Sequence, residues 1–483
     1  MFSILIVGFN GIRTRSKLII TPNYFPVPKP SKSYWIENAD SRLQHYRDKR
    51  GIPDKADVVI IGSGFTGTAF AVGLLLEREF KGNVVILEAR DVCSGATGRN
   101  GGHLRAYYYE NHSTYVERYG EKIAADIAIF EENSIKSLED ILTKYKIDCL
   151  LDKRLNCDTF QTESVSKKMM HDYYSFINNK YVPTKMKRKV HIYFGQQAEN
   201  TSGHKSTNCC VFCPTASVWP YKLVCSLLEH CIDKGLNLQT NTAVTDVRYL
   251  QDVEKWLLET PRGSIIANKV VVATNAYTAA ILPEFRGVIV PVKGCVSHLK
   301  PADHSIKKLP YNYYHAYPME GDYVTARSDG SIIVGGGGKT YLKYPESSEM
   351  INTVDDSVVP RKVANYFNGY ANHNYILYKN KKYVNDYTWT GCMGYTNDGL
   401  PFVGDLTNFG RPNMYISSGY TGHGMPRIWT CGAYLADLIA NSFRKTHIPE
   451  VYKITPERMT SSHFGYFDDL VGIDPRNMIL AKF

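Results

Sequence analysis

Apolar residues are sparse from 21 to 55, a polar, proline-bearing stretch that opens TPNYFPVPKPSKSYW. It reads as an extended arm lying on the surface, with Tyr34-Trp35 as an anchor. At Asp57 the pattern changes. Asp57–Ile61 is continuously β-branched after its first residue, which predicts a strand buried on both faces. A glycine turn follows, and Thr66–Arg78 then reads as a helix of small and apolar residues. Asn83–Leu87 predicts a second buried strand. Residues 115–147 read as helical. Residues 150–210 are polar, aromatic and weakly periodic, which suits a sheet domain with long loops. Tyr221–Lys234 predicts a helix stopped by Gly235. Strands are expected at Leu236–Thr240, Trp256–Thr260 and Ile265–Ala273. More alternate through 290–385, among them Tyr323–Arg327 and Ser331–Val334. Met414–Ser418 is expected as a strand, and Trp429–Asn441 as a helix.

The turns between these elements carry the candidate chemistry. Gly62-Ser63-Gly64-Phe65-Thr66-Gly67 fits G-x-G-x-x-G after a strand and opening a helix, the setting in which that pattern binds a dinucleotide. Gly62 makes the tight turn, Gly64 lets a pyrophosphate approach the backbone, and Gly67 lets helix and strand pack. The helix N-terminus offers unpaired N–H groups to phosphate. Glu88 ends the next strand, 21 positions after Gly67, where a ribose-binding acid is expected. A second loop begins six residues later: Ser94-Gly95-Ala96-Thr97-Gly98-Arg99-Asn100-Gly101-Gly102. Such a loop lets backbone lie flat against a large ligand. A nicotinamide enzyme usually proceeds here into another helix, so this loop points to FAD. Two further turns lie downstream. Ala273-Thr274-Asn275 ends a buried strand. Gly422-His423-Gly424-Met425 precedes a helix, a placement suited to the electron-rich edge of a reduced flavin.

Together DVVIIGSGFTG, ILEAR, SGATGRNGG, VVATNAY and SSGYTGHGM resemble the D-amino-acid oxidase-type FAD-dependent oxidoreductases over roughly residues 55–445. SGATGRNGGH, WTGCMGYTNDGLPFVGD and Trp219-Pro220 are most similar to the glycine/sarcosine oxidase and gamma-glutamylputrescine oxidase-like branch. The resemblance implies an α/β (α+β) fold: a discontinuous, glutathione-reductase-type Rossmann FAD domain with an inserted, sheet-rich substrate domain. The expected layout is an arm at 1–54, FAD-domain parts at 55–115, 211–290 and 386–483 with the C-terminal tail, and substrate-domain parts at 116–210 and 291–385. FAD contacts are expected from the motif residues above, with Ala89, Arg90 and Val244. The implied activity is oxidation of a C–N bond in a primary or secondary amine or amino acid, with hydride passing to flavin N5. Oxygen is the expected acceptor. A dehydrogenase using another acceptor and a non-catalytic flavin-binding regulatory protein are the alternatives.

Residue roles carry over unevenly. Arg105 matches the basic residue that holds a substrate carboxylate in sarcosine-oxidase-like enzymes, and a bidentate arginine suits a carboxylate. Ordinary ion pairing is the alternative. The second basic residue of that pattern would fall at Pro426, with Arg427 one step late. This departure leaves room for a polyamine or larger amine. Where relatives carry an oxygen-activating lysine, this chain has Ser331-Ile332-Ile333-Val334. Cys392 stands where some relatives attach FAD covalently, and it reads equally as a small buried residue. His423 reads as a flavin-edge contact or a general base.

Composition narrows the rest. The 483 residues carry a formal net charge of +10, but the basic runs at 185–189 and 379–382 are short and read as solvated loops. That excludes a nucleic-acid-binding face. The charge suits an anionic cofactor or substrate. Eleven scattered cysteines suit reduced thiols and a cytoplasmic setting. The CxxC at Cys210 and Cys213 lacks the second pair that zinc would want, so no metal is expected. No run approaches the roughly 18 apolar residues of a membrane span. The basic, acid-free N-terminus before Glu37 leaves a mitochondrial presequence as an alternative. The final three residues only loosely resemble a peroxisomal address. Substrate identity and oligomeric state stay open.

Overall fold

The structure, a computed structural model, describes residues 24–303, 306–318, 321–341, 349–378, 382–441, 443 and 445–460. The continuous β-branched runs become the middle of an eight-stranded sheet. Lys55–Ile61 lies between Val84–Leu87 and Gly263–Val272, parallel to both. Asn237–Gln239 and Met414–Ser418 extend the parallel set on either side. Parallel neighbours need long crossovers, which carry helices and cover both faces. Val58, Val59 and Ile60 are accordingly fully buried. Antiparallel strands Phe402–Asp405, Asp246–Leu250 and Lys255–Thr260 complete this sheet.

A second, nine-stranded sheet is mostly antiparallel. Its path runs through Tyr383–Thr396, Ile289–Pro301, Ile332–Gly336, Asp322–Ala326, Asn312–Ala316, Asp152–Phe160, Cys209–Ser217 and His103–Leu104. Its longest pairing, Ile289–Pro301 with Tyr383–Thr396, shifts register at His298/Leu299.

Several expectations shift. The first helix is regular only over Phe65–Val72 and widens to a π-turn over Gly73–Glu77. The helical stretch at 115–147 splits at Gly120 into His112–Tyr119 and Glu121–Lys144, where Gly120 takes φ +86°. Residues 150–210 hold helices Glu163–Asn178, Thr184–Lys187 and Gly195–Ser202 beside their strands, more helix than their weak periodicity signalled. The basic run at 185–189 falls largely in the second of these, while 379–381 lie outside the described residues.

The arm is anchored where its aromatic pair stands: Trp35 is wholly buried, while most of residues 24–54 stay half-buried or exposed. Trp35 Nε1 donates to the Asn100 carbonyl at 2.6 Å, and Ser33 Oγ donates to the Gly98 carbonyl at 2.7 Å. Arg99 Nη2 donates to the Ser31 carbonyl at 2.6 Å. The Arg327 guanidinium stands over the rings of Tyr34, Trp35 and Trp219. The arm's buried polar groups are matched by these hydrogen bonds. All eleven cysteines are buried free thiols. Among the described residues, no cluster could hold a metal, and no helix is long and apolar enough to cross a membrane.

Candidate functional site

Four turns from distant parts of the chain meet at one cavity of about 390 Å³. Gly62, Gly64, Phe65 and Thr66 line it from the first turn. Gly95, Thr97, Arg99, Asn100 and Gly101 line it from the second loop. Ala273 and Thr274 come from the third turn, and Gly422, His423, Gly424 and Met425 from the fourth. Glu88, Ala89, Arg90, Val244, Arg105 and Cys392 also reach it. Ser63, Gly67, Ser94, Gly98, Gly102 and Arg427 stand outside the lining.

The backbone explains why these turns need small residues. Gly62 has φ +107°, and a Cβ there would lie 2.7 Å from the Ala273 carbonyl oxygen. A Cβ at Gly67 would lie 2.1 Å from the Gly62 oxygen, so the helix could not seat against its strand. Thr97 Oγ1 accepts from the Phe65 amide at 3.0 Å and ties the second loop to the helix start. Asn275 Oδ1 accepts from the amides of Gly419 (3.0 Å) and Tyr420 (3.3 Å), tying the third turn to the fourth. Asn275 and Thr421 both hold positive φ, at 43° and 50°. Such backbone clusters at ligand sites.

The donor set suits a long diphosphate ligand. Among the described residues, the amides of Gly64 and Thr66 have no protein acceptor and open on the cavity. A Cβ at Gly95 would meet nothing within 4 Å, so the second loop presents bare backbone to open space. Glu88 is only partly buried. Its Oε2 accepts from the Ser63 amide and hydroxyl, both at 2.8 Å, and its Oε1 accepts from the Arg90 amide at 2.9 Å. A carboxylate has about four lone-pair positions, so capacity remains for ribose hydroxyls. Arg90 is committed elsewhere, paired to the buried Asp356 at 2.9 Å.

The opposite wall comes from the second sheet and the segment after the second loop. It presents His103, Arg105, Tyr107, Tyr314, Tyr323, Tyr341 and Tyr395. His423 stacks on Tyr107 with ring centroids 3.5 Å apart, and its Nε2 lies 2.9 Å from Glu131 Oε2. Glu131 is wholly buried and also accepts from Arg427 Nε at 2.7 Å and from the Tyr107 amide at 2.7 Å. Burial pushes this carboxyl up, yet His423 and Arg427 outweigh it and hold the group near about 2. Burial pushes His423 down, and His103 further, to about 3. Burial pushes the Cys392 thiol up to about 12. Glu131 escaped the sequence reading. It sits mid-helix in Glu121–Lys144, and only a lone acid among its inward-facing Ala125, Ile127 and Ala128 hinted at it.

A parallel sheet feeding glycine turns into one cavity that a second sheet also lines defines a two-sheet flavoenzyme. The family model described as DAO, FAD dependent oxidoreductase, matches residues 57–438. The chain belongs to that family, and FAD is its cofactor. The probable oxidoreductase OrdL of Haemophilus influenzae is 24% identical, covering 83% of this chain and 86% of that protein. Gamma-glutamylputrescine oxidoreductase of Escherichia coli is 25% identical, covering 79% and 83%. Among solved structures, glycine oxidase from Geobacillus kaustophilus superposes with a TM-score of 0.67 at 19% identity, covering 84% of this chain and 99% of that one. L-proline dehydrogenase from P. horikoshii gives 0.64 at 19%, covering 83% and 97%.

Proposed function

We propose that this chain oxidises the C–N bond of a primary or secondary amine. The observation that carries the reading is the meeting of four backbone turns and a tyrosine-rich sheet wall at one cavity. The amides of Gly64 and Thr66 would hold the pyrophosphate of FAD, Glu88 the ribose, and the loops at Gly95–Gly101 and Gly422–Met425 the flavin. FAD, when bound, supplies the two-electron acceptor for a hydride from the carbon next to nitrogen. The protein's own part is positioning, drying and proton handling.

Glu131 sets the tautomer of His423. An anionic carboxylate at Nε2 keeps the proton there and leaves Nδ1 as a lone pair. Nδ1 has no partner among the described residues, and His423 lines the cavity. An amine arriving as its ammonium would lose a proton to that atom before its carbon is oxidised. Tyr107, stacked on the imidazole, fixes the ring plane.

Oxygen is the proposed acceptor. The buried, apolar Ile332, Ile333 and Val334 favour a second reading, a dehydrogenase, because they place no cation on that strand. The test is an anaerobic panel of amines and amino acids added to the purified yellow protein. Bleaching of the flavin band by at least one of them is expected. A band that no member of a broad panel bleaches would sink the reading. Admitting oxygen then separates the acceptors: recolouring within seconds marks an oxidase, and recolouring over many minutes a dehydrogenase.

A further inference from the structure

The substrate wall has an unusual charge balance. Arg105 is only 7% exposed. Its Nη2 donates to Asp158 Oδ2 at 2.7 Å and is ion-paired with Glu110 as well. Asp158 is fully buried and also accepts from Tyr109 Oη at 2.5 Å and Asn156 Nδ2 at 2.7 Å. Neither oxygen of Glu110 has a hydrogen-bond donor beyond that ion pair. One guanidinium thus faces two acids. Arg427 is held by Glu131 and donates to the Gly399 carbonyl at 3.3 Å, outside the lining. Arg90 and Arg99 share Asp356. Among the described lining residues there is no lysine. A substrate carboxylate would therefore meet no cation that lacks a carboxylate partner, and would lie against the surplus charge behind Arg105.

The same wall is well made for a cation. Tyr107, Tyr314, Tyr323, Tyr341 and Tyr395 line it, and glycines make room for two of them. A Cβ at Gly101 or Gly335 would lie 2.1 Å from the Tyr323 ring, and one at Gly321 would lie 2.3 Å from the Tyr314 ring. Ring faces attract ammonium and guanidinium groups. Two of these already do so, with Arg105 standing 5.7 Å from the Tyr107 centroid and 5.8 Å from that of Tyr314. The extra acid adds a field of the same sign.

We propose that the substrate is a di- or polyamine without a carboxylate. One nitrogen is oxidised as the free amine beside His423. A second, kept as ammonium, is held by the tyrosine wall in the field of Asp158 and Glu110. This assignment rests on the amine-oxidising reading above. In the step itself, the reacting ammonium gives its proton to His423 Nδ1. The C–H bond then breaks as C=N forms, its electron pair being the one that FAD, when held by the four turns, would accept. Water hydrolyses the imine to an aldehyde and an amine or ammonium. Two electrons leave the carbon, and FAD is the oxidant.

The experiment is anaerobic stopped-flow reduction of the full-length holoenzyme. Its probes are 1,4-diaminobutane, spermidine, 1-aminobutane, γ-glutamylputrescine, glycine, sarcosine and L-proline. The apparent Kd of 1,4-diaminobutane should be at least ten-fold below that of 1-aminobutane, and the carboxylate-bearing probes should bleach at least ten-fold more slowly. Equal binding of the two aminobutanes, or equal bleaching by any carboxylate-bearing probe, would overturn the assignment while amine oxidation stands. A flavin that no probe bleaches would overturn both. Glu110→Gln should raise the Kd of the diamine about ten-fold and leave that of 1-aminobutane unchanged. An unchanged diamine Kd in a folded, yellow variant would also count against the proposal, and the wild-type comparison decides alone if the variant does not fold.

Discussion

Glu131 lies nearly three hundred residues before the fourth glycine turn, yet its carboxylate fixes His423, Arg427 and the Tyr107 amide together. Glu131→Gln keeps the shape and removes the charge, leaving Arg427 buried without its acid. Breaking a buried pair in this way costs about 3–5 kcal/mol. The pH dependence carries the sign. The folded carboxyl is held near about 2, below its unfolded value, so its stabilisation is present above roughly pH 4.3 and is lost as pH falls towards 2. Urea unfolding of the variant should show a lower midpoint at pH 7 and a shallower decline between those limits. The bleaching-rate profile should also shift on its acid side, which a purely structural role would not produce. Gly62→Ala sets a Cβ against the Ala273 carbonyl at φ +107°. Strain of about 1–3 kcal/mol should weaken FAD at least ten-fold, read from flavin retained per chain after dialysis. Cys392, its thiol kept protonated by burial, should form no bond to flavin. An acid-treated sample on a denaturing gel is then expected to show no fluorescent band at the chain's mass.

At the scale of elements, the anchored arm changes the account of the second loop. Glycines that let backbone lie flat against a ligand also leave that loop little stiffness of its own. Trp35, Ser33 and Ser31 grip the loop at Asn100, Gly98 and Arg99, and none of the three lines the cavity. Trp35→Ala should lower stability by about 3–5 kcal/mol and loosen FAD with it. Thermal unfolding with and without added FAD would check both effects. The parallel strands and the glycine turns were legible because each rests on local chemistry: β-branched runs, φ-permissive residues, an acid at a strand end. The arm's anchor was legible at Tyr34-Trp35 but its partners were not, because Asn100 and Trp219 stand 65 and 184 residues away along the chain. For the same reason Arg105 was legible as a cavity residue, whereas its partner Asp158, 53 residues further on, was not.

At the scale of the molecule, two half-buried imidazoles lining one cavity make the protein sensitive to mild acid. His103, pushed by burial to about 3, stays neutral when folded and takes a proton when unfolded. Its folded pKa is depressed, so its penalty on the folded state grows as pH falls below about 6.5 and levels off near 3. The unfolding free energy of the wild type, read from urea titrations, should fall across that window by an amount on the order of a few kcal/mol, and His103→Gln should flatten the fall.

The order of strands in the first sheet has a consequence for how the enzyme comes to exist. Lys55–Ile61 needs Gly263–Val272 beside it, and that strand in turn needs Met414–Ser418. The cavity therefore cannot close on a growing polypeptide until the strand at Met414–Ser418 has been translated. A chain released from the ribosome short of residue 414 would keep its first glycine turn and still have nowhere to lodge the coenzyme.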